Sequence, residues 1–141
     1  MISLQGKRAY LDASVAIYSV ESLHEFPGLK SGFLDLLDSR GLVAVTSELT
    51  LLETVVGARK KGDIHLEAAY RVLLAPSTSM EVRTIDEAII EHAIDLRLLG
   101  LKTPDAIHVA TGLLERCDVF LTRDKDWTRA GVTVVDPAEI A

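Results

Sequence analysis

The sequence lacks the features that mark several protein classes. It has one cysteine, Cys117, so no intrachain disulfide forms, and a disulfide-stapled scaffold and a cysteine-rich zinc site are both excluded. His24, His65 and His92 show no metal-ligand spacing. No apolar run approaches the ~20 residues that cross a bilayer, and the start, MISLQGKRAYLD, has no apolar stretch of signal-peptide length. A cytoplasmic protein without a membrane partner is expected. There is no repeat, no low-complexity tract and no long linker. Positive charge is not in excess either: 15 Lys and Arg stand against 21 Asp and Glu, giving a net charge of −6 and a pI near 5.1. The broad basic footprint of a protein that coats nucleic acid is therefore missing.

What is present is a globular composition. Hydrophobic residues make up 48% of the 141 and charged residues 26%, a balance opposite to that of a disordered chain and sufficient for one domain, residues 1–141. Short β-type runs alternate with helical periods. The strand candidates are Arg8–Asp12, Leu42–Thr46, Met80–Ile85, Asp118–Thr122 and Val132–Asp136. Ser47 is placed to cap a helix reaching about Lys61 before Gly62, Asp63 one ending before Pro76, and Asp86 one ending at Gly100. Thr103-Pro104 reads as an N-cap followed by proline at the first helical position. Residues Ile17–Leu37 read as two helices joined at Pro27-Gly28 and packed into the core through Tyr18, Leu23, Phe26, Leu29, Phe33, Leu34 and Leu37. This alternation predicts an α/β fold around a central parallel sheet, which places a functional site at the carboxyl ends of the strands.

Four acids fall where such a site would lie. Asp12 ends the first strand, Asp105 sits in the first turn of the helix opened by Thr103-Pro104, and Asp124 follows the strand ending at Thr122. Glu53 lies within LTLLETVV, on a helix face with Leu49 and with Val56 or Gly57, so partial burial is expected. No Lys or Arg lies within a turn of it, and a buried carboxylate needs a partner. Each acid also has a plain structural role available. Asp12 can simply end a strand, Asp105 can complement a helix dipole, and Asp124 can be a turn residue with Asp126 equally available. Together they suggest one cluster. Two carboxylates ~4 Å apart repel by about 4 kcal/mol at an effective dielectric near 20, so a cluster requires protons or a cation. An all-oxygen donor set favours magnesium or manganese, which suits phosphoryl chemistry.

The segments YLDAS at Tyr10–Ser14, SELTLLET at Ser47–Thr54, TPDAIHVATG at Thr103–Gly112 and FLTRDKDW at Phe120–Trp127 give the chain a family resemblance over nearly its whole length. It resembles the PIN-domain ribonucleases, and among them the VapC-type toxins of bacterial and archaeal toxin–antitoxin modules. The resemblance implies a PIN-like α/β/α sandwich and a Mg²⁺ site, with Mn²⁺ as a possible substitute, that hydrolyses RNA. By motif position Asp12, Glu53, Asp105 and Asp124 are the four acids, Asp126 competing for the last place. Asp12, Asp105 and Asp124 would hold one or two ions, and Glu53 would share an ion or orient the attacking water. Ser14 and Thr122 match hydroxyl positions beside the metal. The resemblance further implies a protein antitoxin held in a groove of the early helices, and a homodimer. An RNA-processing enzyme of the same fold with no toxin role, and a catalytically silent RNA- or protein-binding PIN module, are the alternatives. Filling of all four acid positions counts against the silent module.

Several residues beside the motifs have two readings. His108, three residues after Asp105, can contact RNA or hydrogen-bond that acid; its plain reading is a helix residue with no catalytic task. Arg59, Lys60 and Lys61 can track an RNA backbone or merely complement a helix C-terminus, and Arg123 adjoins a site acid. Setting the four site acids aside leaves 17 acids against 15 basic residues, so the negative charge is compatible with a local, metal-dependent encounter with RNA.

Overall fold

The computed structural model describes residues 1–141. Five parallel strands form the central sheet: β1 (Arg8–Leu11), β2 (Val43–Ser47), β3 (Met80–Arg83), β4 (Val119–Leu121) and β5 (Val134–Val135), in the order β3-β2-β1-β4-β5. The outer strands are shorter than their β-type runs because each stops where its neighbour's ladder stops. β3 ends with Arg83 opposite Ser47, and β5 is limited to Val134 and Val135 opposite Phe120 and Leu121.

The helices are α1 (Ala13–Glu21), α2 (Asp35–Asp38), α3 (Glu48–Lys60), α4 (Ile64–Leu73), α5 (Glu87–Leu98) and α6 (Thr103–Leu114). Three expected caps are made: Ser47 accepts from the Leu49 N–H, Asp63 from Leu66 and Asp86 from Ile89, each at 3.0 Å. Two helix expectations are corrected. Lys102, not Thr103, is the N-cap of α6, and it makes no side-chain cap bond. The proline's missing N–H costs nothing anywhere in the first turn, so Thr103-Pro104 marks the turn without fixing its first residue. Residues 17–37 also do not form two regular helices. α1 ends at Glu21, and a π-helical turn at Lys30–Leu34 runs into the short α2. Gly32 in that turn lies against the C-terminus, where a Cβ would come within 2.1 Å of the Ala141 carbonyl oxygen.

Strand alternation sorts the core onto two faces. Ala9 and Leu11 of β1, Ala44 of β2 and Val119 and Leu121 of β4 join Val15, Ala16, Leu29, Phe33 and Leu74 on one face. Tyr10, Val45 and Phe120 point the other way, into Ile89 and Leu96 of α5, Ala106, Val109 and Ala110 of α6, and Trp127. α3 packs on α1 and α4 and also reaches α6. No helix is long and apolar enough to cross a membrane. The chain runs from β1 outward to β2 and β3, then crosses to β4 on the opposite side of β1. A crevice therefore opens at the carboxyl ends of β1 and β4, the switch point where ligands of open α/β sheets bind.

Close contact between α6 and the sheet depends on Gly112, where a Cβ would lie 2.2 Å from the Phe120 ring. Phe120 is itself buried against Tyr10 and Trp127 and has no room to yield. Gly112→Ala is expected to destabilise the fold by about 1–3 kcal/mol through overpacking, measurable by denaturant unfolding.

Candidate active site

Period two places Tyr10 and Asp12 on the same side of the β1 line, and Asp12 then becomes the N-cap residue of α1. Its carboxylate makes no cap bond and is held by two hydroxyls instead. Ser14 Oγ donates to Asp12 Oδ2 at 3.0 Å and Thr122 Oγ1 to the same oxygen at 2.6 Å. The side chain is only 13% exposed, and Oδ1 is left without a hydrogen bond. Thr122 joins two acids, because its oxygen also accepts the Asp124 N–H at 3.0 Å. Both hydroxyls expected beside the site thus orient Asp12.

α6 supplies Asp105 and, one turn later, His108. Burial raises the Asp105 carboxyl above its ordinary range; Asp124 and Asp12 push it the same way, while the nearby Trp127 N–H and His108 oppose them. That indole N–H is buried and closes no hydrogen bond of its own, so it faces the carboxyl as a dipole only. Asp124 opens the 3-10 turn Lys125–Ala130 and accepts the Asp126 N–H at 2.9 Å. Asp126 is exposed and turned to Arg129, 3.7 Å away. Of the two, only Asp124 is among the charges that raise the Asp105 carboxyl.

Glu53 arrives from α3 and is more open than its apolar neighbours suggest, with 35% of its side chain exposed. Leu52 and Val56 are themselves exposed, so the stripe around Glu53 is partly a surface stripe. The partner that no nearby Lys or Arg could provide is His108. Its Nε2 lies 2.7 Å from Glu53 Oε1 and 3.9 Å from Asp12 Oδ1, and its Nδ1 lies 2.6 Å from the Tyr10 hydroxyl. His108 is 1% exposed and stacks on Trp127 with ring centroids 5.8 Å apart. His108 is thus hydrogen-bonded within the site, and the acid it bonds is Glu53, not Asp105. The sequence held a signal for this: the i, i+3 spacing puts Asp105 and His108 on one side of α6, and Tyr10 and Asp12 share one side of β1.

The basic candidates are engaged to different degrees. Arg59 forms a two-point contact with Glu67 of α4 at 2.8 and 3.1 Å, and Lys61 reaches Glu21 at 3.4 Å, so this cluster ties α3 to its neighbours. Lys60 is exposed. Arg123 lies over the Phe26 ring, 5.4 Å from its centroid, and 3.4 Å from Asp136, with half its side chain exposed next to Asp124.

A family model described as PIN domain matches residues 9–132. The chain belongs to the PIN-domain family. Among solved structures, this PIN domain is similar to a chain of a toxin–antitoxin complex from Klebsiella pneumoniae, with 32% identity, a TM-score of 0.67, and coverage of 94% of this chain and 99% of that one. It shares the fold of VapBC2 from Rickettsia felis bound to a promoter DNA fragment (13% identity, TM-score 0.71, coverage 92% and 98%). It shares it also with the Mycobacterium tuberculosis toxin VapC20, described as cleaving the sarcin–ricin loop (19% identity, TM-score 0.66, coverage 89% and 96%). No curated protein matches.

The four acids of this PIN domain gather at one end of the sheet without meeting at one point. Nowhere do three His, Cys, Asp or Glu side chains stand close enough to hold one metal ion together. An all-carboxylate oxygen donor set is the chemistry magnesium prefers, and that ion usually keeps several waters and takes one or two carboxylates directly. Asp12 Oδ1, free of hydrogen bonds beside Asp105, is the kind of oxygen such an ion uses.

Two outcomes follow from the charges. Asp105 is raised in the folded state, so the metal-free protein loses stability as pH rises through that value. Asp105→Asn is expected to stabilise it at neutral pH and to give no gain below the ordinary aspartate range, as thermal unfolding at two pH values would reveal. Glu67 is lowered to about 2 by hydrogen bonds from Arg59 and then Arg71. The stability this contributes is present above the ordinary carboxylate range and lost as pH falls toward 2. In Arg59→Ala, a carboxyl NMR titration is expected to find Glu67 moved back up.

Proposed function

We propose that this PIN domain is a magnesium-dependent endoribonuclease and the toxin of a toxin–antitoxin pair. The observation that carries this reading is the Asp12 carboxylate, locked by Ser14 and Thr122 on one oxygen and open on the other, beside Asp105 and Asp124 at the switch point. Kinship with PIN toxins, including one described as cleaving the sarcin–ricin loop, supports the substrate class.

In this mechanism Asp12, Asp105 and Asp124 would hold Mg²⁺, or Mn²⁺ in its place, directly or through water. The ion supplies, when bound, positive charge against the phosphodiester's developing negative charge and acidity for a water. The residues of the chain do the rest. Ser14 and Thr122 keep Asp12 from turning away, and the backbone N–H of Asp124 fixes Thr122. Glu53, more exposed than the other three acids, would orient the attacking water for in-line attack. Arg123, with Lys60 and Arg59 further out along α3, would meet the RNA phosphates, Arg59 only by releasing Glu67.

The partner surfaces follow from what is left uncovered. A groove of about 640 Å³ between α1, residues 30–38 and α4, lined by Val20, Leu23, Leu34 and Val72, would receive an apolar helix face of the antitoxin. Phe26, Leu29 and Phe33 take no part in it, being buried core, while Leu37 forms part of its floor. The exposed stripe Ile90, Ile94 and Leu98 on α5 would pair two copies as a homodimer.

Asp12→Ala and Asp105→Ala are expected to lower RNA cleavage roughly a thousandfold, the loss of several kcal/mol of charge stabilisation, with the fold retained by circular dichroism. Undiminished cleavage by both purified variants would sink the assignment. Mn²⁺ at a hundred times its dissociation constant should stabilise the native state by about 2.7 kcal/mol, and Asp12→Asn should remove most of that gain.

A further inference from the structure

The geometry points to His108 as a positioning residue that holds Glu53 at the mouth of the acidic cluster, donating its Nε2–H to Glu53 while the Tyr10 hydroxyl fixes the ring by donating to Nδ1. For its effect on activity this inference rests on the nuclease reading above. Its geometry does not.

Three observations carry it. First, the relay is continuous and short: Tyr10 to His108 is 2.6 Å and His108 to Glu53 is 2.7 Å. Secondly, its inner members are locked. Tyr10 and His108 are 0% and 1% exposed, Trp127 stacks on the imidazole, and the Tyr10 ring meets it edge-on at 5.8 Å. Thirdly, Glu53 has no other hold. It is 35% exposed on a long flexible side chain, and no other ion pair or hydrogen bond reaches its carboxylate. Left free, such a side chain samples several rotamers, and ordering it at the moment of reaction costs entropy.

The proton positions follow from what each atom faces. An ionised carboxylate only accepts, so Nε2 must carry a proton; the alternative sets a nitrogen lone pair against an oxygen lone pair at 2.7 Å. In this relay the Tyr10 hydroxyl, 2.6 Å from Nδ1, is the donor. Nδ1 then accepts, and the ring is the neutral Nε2–H tautomer. The same N–H lies 3.9 Å from Asp12 Oδ1, so one donor partly offsets the repulsion between Glu53 and Asp12. With Oε1 committed to His108, Glu53 works through Oε2 alone.

The test compares His108→Gln, whose amide can place an N–H near the position of Nε2, with His108→Asn, which reaches only as far as Nδ1. Under the positioning role, His108→Asn loses kcat tenfold to a hundredfold, the usual cost of losing an orienting partner, with KM nearly unchanged. His108→Gln recovers most of it. Equal loss in both variants, with thermal unfolding unchanged, overturns the role. Side-chain ¹⁵N NMR of the wild-type protein, which needs no folded variant and no activity, should find His108 protonated at Nε2 only. It should also find that state disturbed in Tyr10→Phe. A proton on Nδ1 overturns the assignment. If the wild type cleaves no RNA while the NMR state is as described, the nuclease reading fails and the relay stands. If it cleaves RNA with Nδ1 protonated, the relay fails and the nuclease reading stands.

Discussion

Repulsion among the carboxylates at the carboxyl end of the sheet is the constraint around which the rest of the structure is arranged. Asp12, Asp105 and Asp124 are near enough for Asp105 to respond to the other two, yet each comes from a different element. The protein opposes the repulsion with local donors instead of nearby cations. Two hydroxyls act on Asp12, a backbone N–H on Asp124, and an imidazole N–H on Glu53. These contacts orient the carboxylates one by one, and the proposed divalent cation would offset the charge they carry.

The wall behind the acids is built to resist movement. Tyr10, His108, Phe120 and Trp127 form one aromatic contact set, with neighbouring ring centroids about 6 Å apart. Gly112 lets α6 approach Phe120 closely enough for His108 to sit within this set. A separate ion-pair network runs along the sheet edge: Arg8 contacts Glu81 and Glu115, and Arg83 contacts Glu115 and Asp86. These partly exposed pairs fasten the start of β1 and the end of β3 to the C-cap of α6 and the N-cap of α5, and each is worth little alone.

The fold was legible because its signals are local. Ser47, Asp63 and Asp86 each cap a helix through an N–H two or three residues away, and the strand runs are short and bounded by breakers. Reading was least successful where long-range contacts override local preference. Gly28 and Gly32 look like helix punctuation, but they are small because the C-terminal residues pass over them, and a π-helical turn results. Glu53 was noticed as an anomaly in an apolar helix, and its need for a partner was inferred correctly. The partner lies 55 residues away, beyond what spacing can reveal.

The sequence by itself determined the alternation of strands and helices, the parallel sheet and four candidate acids, because these follow from periodicity, from position at a strand end or helix start and, for Glu53, from its place in an apolar helix; the two hydroxyls came from the family resemblance. Only the tertiary structure decided which atoms meet. Both hydroxyls fall on one oxygen of Asp12, and a buried histidine joins Tyr10 to Glu53. The physical reason is that hydrogen bonds act over ~3 Å. The chain brings β1, α3 and α6 that close only once the sheet has twisted and the two core faces have packed.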